Sequence, residues 1–451
     1  MKWAFGWILV GMIGLSLVAW RFQPAPAGEI PIVWVTDNNP LREGQIGLFN
    51  KTHPGVDLSV DPSSGDLQKV IVQSIGGVGP DVFESSDCYQ LAAYVRSGVA
   101  LDVTQALKDR GIDVARETFP GIHSTGILDG RVYGVPTNIA TDAVWFHKDL
   151  FDAKGMPYPK GSMTWSEMIP LAQKMTLRDA SGKITRYGLL FPWWNWRHFL
   201  YGFGARVFSP DGRRCILDSA QSVAGIQTMY DLTYKYHVSP TPAETAGISG
   251  AGGFGSDDTS LFANKRIAMA IGGRWWLSTL RKSSDLHLGV FESPYGTVRQ
   301  FRAYGRVALV NPESKHIPQA LQFLSYLASP GYNELIAAQA DGVPAFMKYA
   351  YGPSFLHDPA HPDEDYNAVW RDVTSRAIGD EVSPYVDGNL ANQLIQKQLD
   401  LVQNNAKTPQ QAMSDAAAAI NAEIQKNLAE AGTPPPTPSS LTNQNEKGAR
   451  N

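Results

Sequence analysis

Short apolar runs alternate with helix-forming segments along most of this chain, and the alternation comes in two blocks, which restricts the fold to layered α/β architectures. The first block opens with Ile30 to Val35, an apolar run bounded by Asp37, Asn38, Asn39 and Pro40. These residues favour turns, so the run predicts a buried strand that stops at a polar loop. A helix over Ile46 to Thr52, a strand in VDLSVDP, a helix over Leu67 to Ile75, a strand over Pro80 to Phe83 and a helix over Cys88 to Ser97 follow. The second block runs from about Ala143 to Val290. It holds the strand DAVWFH, a helix Trp165 to Met175 capped by Thr164, the strand YGLLF, a helix Val223 to Tyr236 and the strand Ile267 to Ile271. Such alternation predicts two lobes, each built on a largely parallel sheet covered on both faces. Ligands bind at the carboxyl ends of strands in sheets of that kind, which points to the loops Thr36 to Asn39 and Glu84 to Asp87. One more strand and two helices, in FRAYGRVALVNPESKHIPQALQFLSYLASPGYNELIAAQ, come after the second block, so the chain revisits a lobe.

Composition narrows the functional classes. The chain has 451 residues, room for two or three domains at roughly 150 residues each. Lys+Arg 39 against Asp+Glu 43 leaves a net charge of −4, which lacks the basic field of a nucleic-acid binder. Cys88 and Cys215 are either one bridge or two free thiols, and two cysteines alone cannot complete a structural zinc site. The His residues include no ligand-spaced pair in a helix, so neither metal nor cofactor is expected. There is no Gly-x-Ser-x-Gly elbow, no His-Glu-x-x-His helix and no phosphate-binding Gly-x-x-x-x-Gly-Lys loop, which disfavours a secreted hydrolase. The spacing Gly250, Gly252, Gly255 matches a dinucleotide loop in form only, because no strand precedes it. Asp257 and Asp258 are adjacent, a poor arrangement for two carboxylates acting on one glycosidic bond.

The ends of the chain have their own chemistry. Trp3 to Trp20 is apolar and uncharged between Lys2 and Arg21, which reads as an export segment. Ala25-Pro26-Ala27 fits a cleavage site, whereas Trp20 and Arg21 fit an interfacial anchor, so both a cleaved signal peptide and an uncleaved membrane anchor stay open. Ala406 to Asn427 reads as an Ala-rich helix entered through Thr408-Pro409, and the Pro-rich stretch beyond it as a disordered tail.

Four stretches carry a family resemblance. GPDVFESSDCYQLAAYVRSGVALDVT from Gly79, RVYGVPTNIATDAVWFHKDLFDAKGMPYPKGSMTWSEMIPLAQKMT from Arg131, FANKRIAMAIGGRWWLSTL from Phe262 and AYGRVALVNPESKHIPQALQFLSYLASP from Ala303 occur in this order. Together they resemble the extracellular solute-binding proteins of ABC importers, of the maltose-binding, sugar-binding type. The resemblance implies a two-lobe α/β fold with hinge crossovers near Pro136 to Asp142, Phe291 to Tyr304 and Phe346 to Phe355, closing around a central ligand cleft. The implied layout assigns residues 1–27 to the signal peptide or anchor, 28–138 to lobe 1 and 139–295 to lobe 2. Residues 296–350 then return to lobe 1, 351–430 form C-terminal helices of lobe 2, and 431–451 are the tail. It further implies a periplasmic or extracytoplasmic monomer without catalysis, a carbohydrate ligand, and delivery to ABC permease subunits driven by a cytoplasmic ATPase. Two other readings keep or leave that fold: an anchored binder of a non-sugar solute or one serving a sensor, and a secreted glycoside hydrolase.

Sugars present hydroxyls and apolar ring faces, so their sites combine carboxylates, amides and aromatic platforms. Asp87, after the Pro-Asp-Val strand, is a ligand-facing carboxylate or a helix cap or both. Asn38 ends the first strand, where it contacts ligand or serves the turn. Asn138 lies on the first crossover, where Ala140 stands at the position of a family Glu. Glu84 likewise replaces an aromatic. In FPWWNWRHF at least one of Trp193, Trp194 and Trp196 faces the cleft, with Trp194 and the amide of Asn195 chosen here. The resemblance makes Trp275 a stacking platform and turns Tyr304 and Arg306 toward the cleft, and Trp276 then falls in the core because neighbours on an extended segment point oppositely. Tyr385, in the loop before the last helices, is either a further ligand contact or an interfacial core residue.

Overall fold

The computed structural model describes residues 28–63, 67–248, 256–283 and 285–430, apart from the side chains of residues 248, 256 and 257. The apolar segment Trp3 to Trp20, the Gly250 to Gly255 loop, the side chain of Asp257 and the Pro-rich tail lie outside the described residues. Local chemistry accounts for the elements that position the cleft. Thr164 and Glu167 form a reciprocal capping box at the start of helix Trp165–Met175. Helix Leu41–Thr52 begins earlier than Ile46 because the Asn39 side chain accepts the Leu41 N–H at 3.1 Å and Pro40 already holds a helical φ of −57°. The last helix spans Pro409–Glu430 and starts at the Thr408-Pro409 signal.

The strands in chain order are β1 (Ile30–Val35), β2 (Val56–Asp61), β3 (Val82–Ser85), the short hairpin β4 (Ile127–Leu128) and β5 (Arg131–Val132), then β6 (Gly134–Ala140) and β7 (Asp142–His147). After them come β8 (Leu177–Arg178), β9 (Ile184–Leu190), β10 (Ile267–Gly273), β11 (Leu288–Glu292), β12 (Phe301–Arg302), β13 (Tyr304–Val310) and β14 (Ala377–Ile378). Two sheets of five strands result, ordered β2-β1-β3-β13-β6 in lobe 1 and β11-β7-β10-β9-β8 in lobe 2.

Lobe 1 is close to the largely parallel sheet expected, with β13 alone reversed, whereas lobe 2 is mixed, with both β7 and the edge strand β8 reversed, which corrects the expectation there. In lobe 1, β1 is parallel to β2 and β3, while β13 is antiparallel to both β3 and β6. In lobe 2, β10 is parallel to β9, while β7 is antiparallel to both β10 and β11. Of the reversed strands, β13 and β7 share one origin: each arrives from the other lobe across the hinge rather than through a helix on its own sheet, whereas β8 is a short edge strand that pairs antiparallel with the next strand, β9. A helical crossover returns the chain to the edge from which the previous strand started and so yields a parallel neighbour. A strand entering from the cleft edge must run the other way.

Only Thr141 separates β6 of lobe 1 from β7 of lobe 2, and the second crossing runs from Glu292 to Tyr304. Helix Pro353–Leu356 still packs on helix Pro330–Gln339, whereas helix Asn367–Ser375 packs on β7 and β11. The third crossing therefore falls after Leu356, downstream of Phe346 to Phe355. Beneath the cleft one apolar cluster joins residues of both sheets, among them Phe83, Ile139, Val307 and Leu309 with Ala143, Trp145, Ala270 and Val290. Cys88 and Cys215 are buried free thiols.

Candidate functional site

The reversal of β7 and β13 puts their first residues, Asp142 and Tyr304, at the cleft alongside the carboxyl ends of β1, β3, β9 and β10. The Tyr304 hydroxyl donates to Asp142 Oδ1 at 2.9 Å and accepts from Trp275 Nε1 at 3.2 Å. Asn195 Nδ2 donates to Asp142 Oδ2, and Arg302 Nη1 donates to Asn195 Oδ1 at 2.9 Å. Arg302 is in turn clamped by Asp380, through Nε to Oδ1 at 2.9 Å and Nη2 to Oδ2 at 2.6 Å. Burial pushes the Asp142 carboxyl up to about 6, against the pull of the Tyr304 hydrogen bond and the Arg302 charge. Burial alone would raise Asp380 too, but Arg302 and Arg197 outweigh it and hold that carboxyl below its usual range.

Two members of this chain of bonds, Asp142 and Trp275, line a cavity of about 300 Å³ together with Pro192, Trp194, Thr245, Asp258, Gly272 and Trp276. The volume is at the small end of the range for ligand sites. Trp194 stands edge-on to Tyr304, with ring centroids 5.5 Å apart, and is 48% exposed. Its neighbours divide as the crowded FPWWNWRHF segment requires. Trp193 packs against the lobe 2 core and Trp196 lies within it, so Trp194 is the ring of this segment that faces the cavity. Asn195 is buried and reaches the cavity only through Asp142. Trp276 lines the cavity yet is almost wholly buried.

At the strand ends of lobe 1 lies a charge cluster, buried apart from the partly exposed Arg306, none of whose residues lines that cavity. Arg42 pairs with Asp37 at 2.8 Å and with Asp341 at 2.5 Å, and Gln45 Nε2 adds a bond to Asp341 at 3.1 Å. Arg306 Nη1 spans Asp37 at 2.8 Å and Glu84 at 3.2 Å. Burial raises the Glu84 carboxyl, with Arg306 and Arg42 opposing it. Asn138 is absorbed into the same cluster, donating to the Asp341 backbone carbonyl at 3.1 Å. Asn38 is exposed at the end of β1, beside the buried Asp37 and Asn39.

A third group closes the cleft rim. Asp87 caps helix Cys88–Arg96 by accepting the Gln90 N–H at 2.8 Å. Within that lobe 1 helix, Tyr89 is hydrogen-bonded through its hydroxyl to Arg197 of lobe 2, which also approaches Asp380 at 3.9 Å. Arg96 reaches Asp387 at 3.0 Å. Tyr385 does not line the cavity: it is buried in the lobe 2 core, its ring under Arg213 and its carbonyl bonded to Asn427. The structure thus gathers Trp194, Trp275, Tyr304 and, indirectly, Asn195 in one place, while Arg306 and Asn138 stand in the lobe 1 cluster and Asp87 at the rim.

Nothing local in the sequence marks Asp142, Arg302 or Asp380. The rule that ligands meet carboxyl ends of strands passes over a residue that begins one, and Arg302 and Asp380 are paired only by the fold.

Relatives of known sequence and structure agree with this architecture. The chain is 22% identical over 420 residues to the sn-glycerol-3-phosphate-binding periplasmic protein of Pectobacterium atrosepticum, covering 85% of this chain and 90% of that protein. It is 24% identical over 361 residues to a maltooligosaccharide ABC transporter solute-binding lipoprotein of Streptococcus pneumoniae, covering 74% and 79%. Among solved structures, an ABC substrate-binding protein of Listeria monocytogenes in complex with cycloalternan superimposes with a TM-score of 0.74 at 20% identity, covering 88% of this chain and 99% of that one. That likeness establishes the shared two-lobe fold. Residues 35–334 match the bacterial extracellular solute-binding proteins over most of both lobes, and the chain belongs to that family.

Proposed function

We propose that this protein captures a neutral carbohydrate, a mono- or oligosaccharide, in the cleft between its lobes and delivers it unchanged to the permease of an ABC importer. The observation that carries this reading is the cavity itself. The indoles of Trp194 and Trp275 and the carboxylate of Asp142 line the same small space. Ring faces suit the apolar side of a pyranose and the carboxylate suits its hydroxyls. The relatives whose names specify maltooligosaccharide and cycloalternan support the same class. The relative that binds sn-glycerol 3-phosphate supplies the competing chemistry. Here Asp142 and Asp258 line the cavity and, among the described residues, no lining side chain is basic, so a phosphate ester would meet like charge. The family's placement and the apolar N-terminal segment support an extracytoplasmic location, free or anchored.

The test is a thermal-shift screen of residues 28–451 against mono- and oligosaccharides, polyols, polyamines and sn-glycerol 3-phosphate, with mass analysis of each hit. A saccharide that raises the melting temperature and is recovered intact is the expected result, because a ligand of the native state stabilises it by mass action. A hit only with the phosphate ester would overturn the carbohydrate reading, and recovery of cleaved sugar would overturn the capture reading.

A further inference from the structure

The Tyr304 hydroxyl sits at a junction that the capture reading does not explain by itself. Tyr304 begins β13, whose partners β3 and β6 belong to the lobe 1 sheet. Both of its hydrogen-bond partners belong to lobe 2: Asp142 begins β7, and Trp275 follows the end of β10. Asp142 and Gly273 are directly paired across β7 and β10, so the strand ends bearing the two partners are themselves in register. Space is reserved for the indole and the hydroxyl. A Cβ on Gly273 would stand 2.4 Å from the Trp275 ring and 2.9 Å from the Tyr304 oxygen. The backbone there is extended, with φ −83° at Gly273, so any residue could adopt it and the vacancy is a matter of room. The far side of the junction is equally constrained, since Asp142 is held by Asn195 and Asn195 by Arg302.

We infer that Tyr304 is a positioning residue: its hydroxyl, shared between Asp142 and the Trp275 indole across the hinge, sets the orientation of the Trp275 ring in the cavity. The ring is then a platform only while the two lobes hold this relative arrangement, and opening the cleft releases it. A stacking ring held in advance spares the ordering cost that a loose indole would incur on binding. This inference adds to the carbohydrate reading a residue that acts through Trp275 and need not touch the solute.

The experiment uses the chain of residues 28–451 with 5-fluorotryptophan, in which the Trp275 fluorine resonance is assigned by its loss in Trp275→Phe. In Tyr304→Phe that resonance should shift or broaden while the other tryptophan signals and the melting temperature stay near wild type. An unmoved Trp275 resonance would overturn the inference, and this arm needs no ligand. The second arm is a calorimetric titration with maltotriose in a double-mutant cycle. Tyr304→Phe should weaken binding about tenfold, the scale of one lost hydrogen bond, and should cost nothing further once Trp275→Ala is present. Equal losses in both backgrounds would mean that Tyr304 contacts the sugar directly and would also overturn the inference. If no saccharide binds the wild type, the carbohydrate reading fails while the fluorine arm still decides the role of Tyr304. A Tyr304→Phe chain that fails to fold is replaced by Asp142→Ala, which removes the acceptor that fixes the Tyr304 hydroxyl and should move the same resonance, an unmoved resonance again overturning the inference.

Discussion

The lobe 2 wall of the cleft offers rings, with Trp194 and Trp275 flanking Asp142, whereas the lobe 1 wall offers charges already paired with one another, Arg42 with Asp37 and Asp341 and Arg306 with Asp37 and Glu84. A ring face remains available to a solute after the protein has folded, because stacking uses a surface that no internal partner has taken. A buried guanidinium between two carboxylates has spent most of its donors on folding. The lobe 1 cluster therefore reads first as structure, and the rings of lobe 2 as recognition.

This contrast can be broken most directly at Arg42. Arg42→Met leaves Asp341 buried without its paired cation and Asp37 with Arg306 alone, and should destabilise the protein by about 3–5 kcal/mol in urea unfolding. A near-neutral result would show that the lobe 1 cluster is not a stability element and would free it for a ligand role. Trp275→Ala should do the reverse, weakening saccharide affinity by about 1–3 kcal/mol in calorimetric titrations while leaving the unfolding midpoint nearly unchanged. Trp194→Ala should cost less than Trp275→Ala because nearly half of that ring stays exposed.

Acid titration separates the two kinds of carboxyl. Burial pushes Glu381 up to about 7 and Asp142 up to about 6, above their unfolded values near 4.5 and 3.8. A raised carboxyl favours the folded state in its protonated form, so stability should increase as pH falls from about 8 toward 5 and this contribution is lost as pH rises through 6 to 7. Glu381→Gln, which keeps an oxygen for the Val207 N–H, should flatten that slope by about 1 kcal/mol per pH unit between about pH 5 and 7. Asp341 and Asp380 are held below their usual range, Asp341 because Arg42 outweighs its burial, so their contribution is present above about pH 4 and is lost below it. Melting curves between pH 3 and 8 check both limbs. The smallest effect should come from Arg96→Ala at the rim. Arg96 and Asp387 are each about half exposed, and their loss should change stability by less than about 1 kcal/mol.

Legibility followed the range of the interactions. The Thr-Trp-Ser-Glu sequence at 164–167 announces a capping box from neighbouring residues alone, and the observed helix Trp165–Met175 has the boundaries read from it. The aromatic density of FPWWNWRHF points to Trp194, and the family resemblance points to Trp275 and Tyr304. Asp142 carried no such mark: in DAVWFH it reads as the polar start of a strand. Its place at the cavity depends on β7 running opposite to its neighbours, a property of the sheet as a whole. Tyr385 had the opposite fate, since a loop tyrosine gives no local sign that it is buried in the lobe 2 core with its ring under Arg213 and its carbonyl bonded to Asn427.

What the sequence by itself determined were the strands, the helices and the count of lobes, because hydrophobic period, caps and turn residues act within a few positions of one another. Strand direction, the pairing of Arg302 with Asp380 and the meeting of Asp142, Tyr304 and Trp275 were decided only by the tertiary structure. Those contacts join residues 29 to 162 positions apart. Such pairs form where two sheets meet across a hinge, and no local pattern in either segment encodes which partner will arrive.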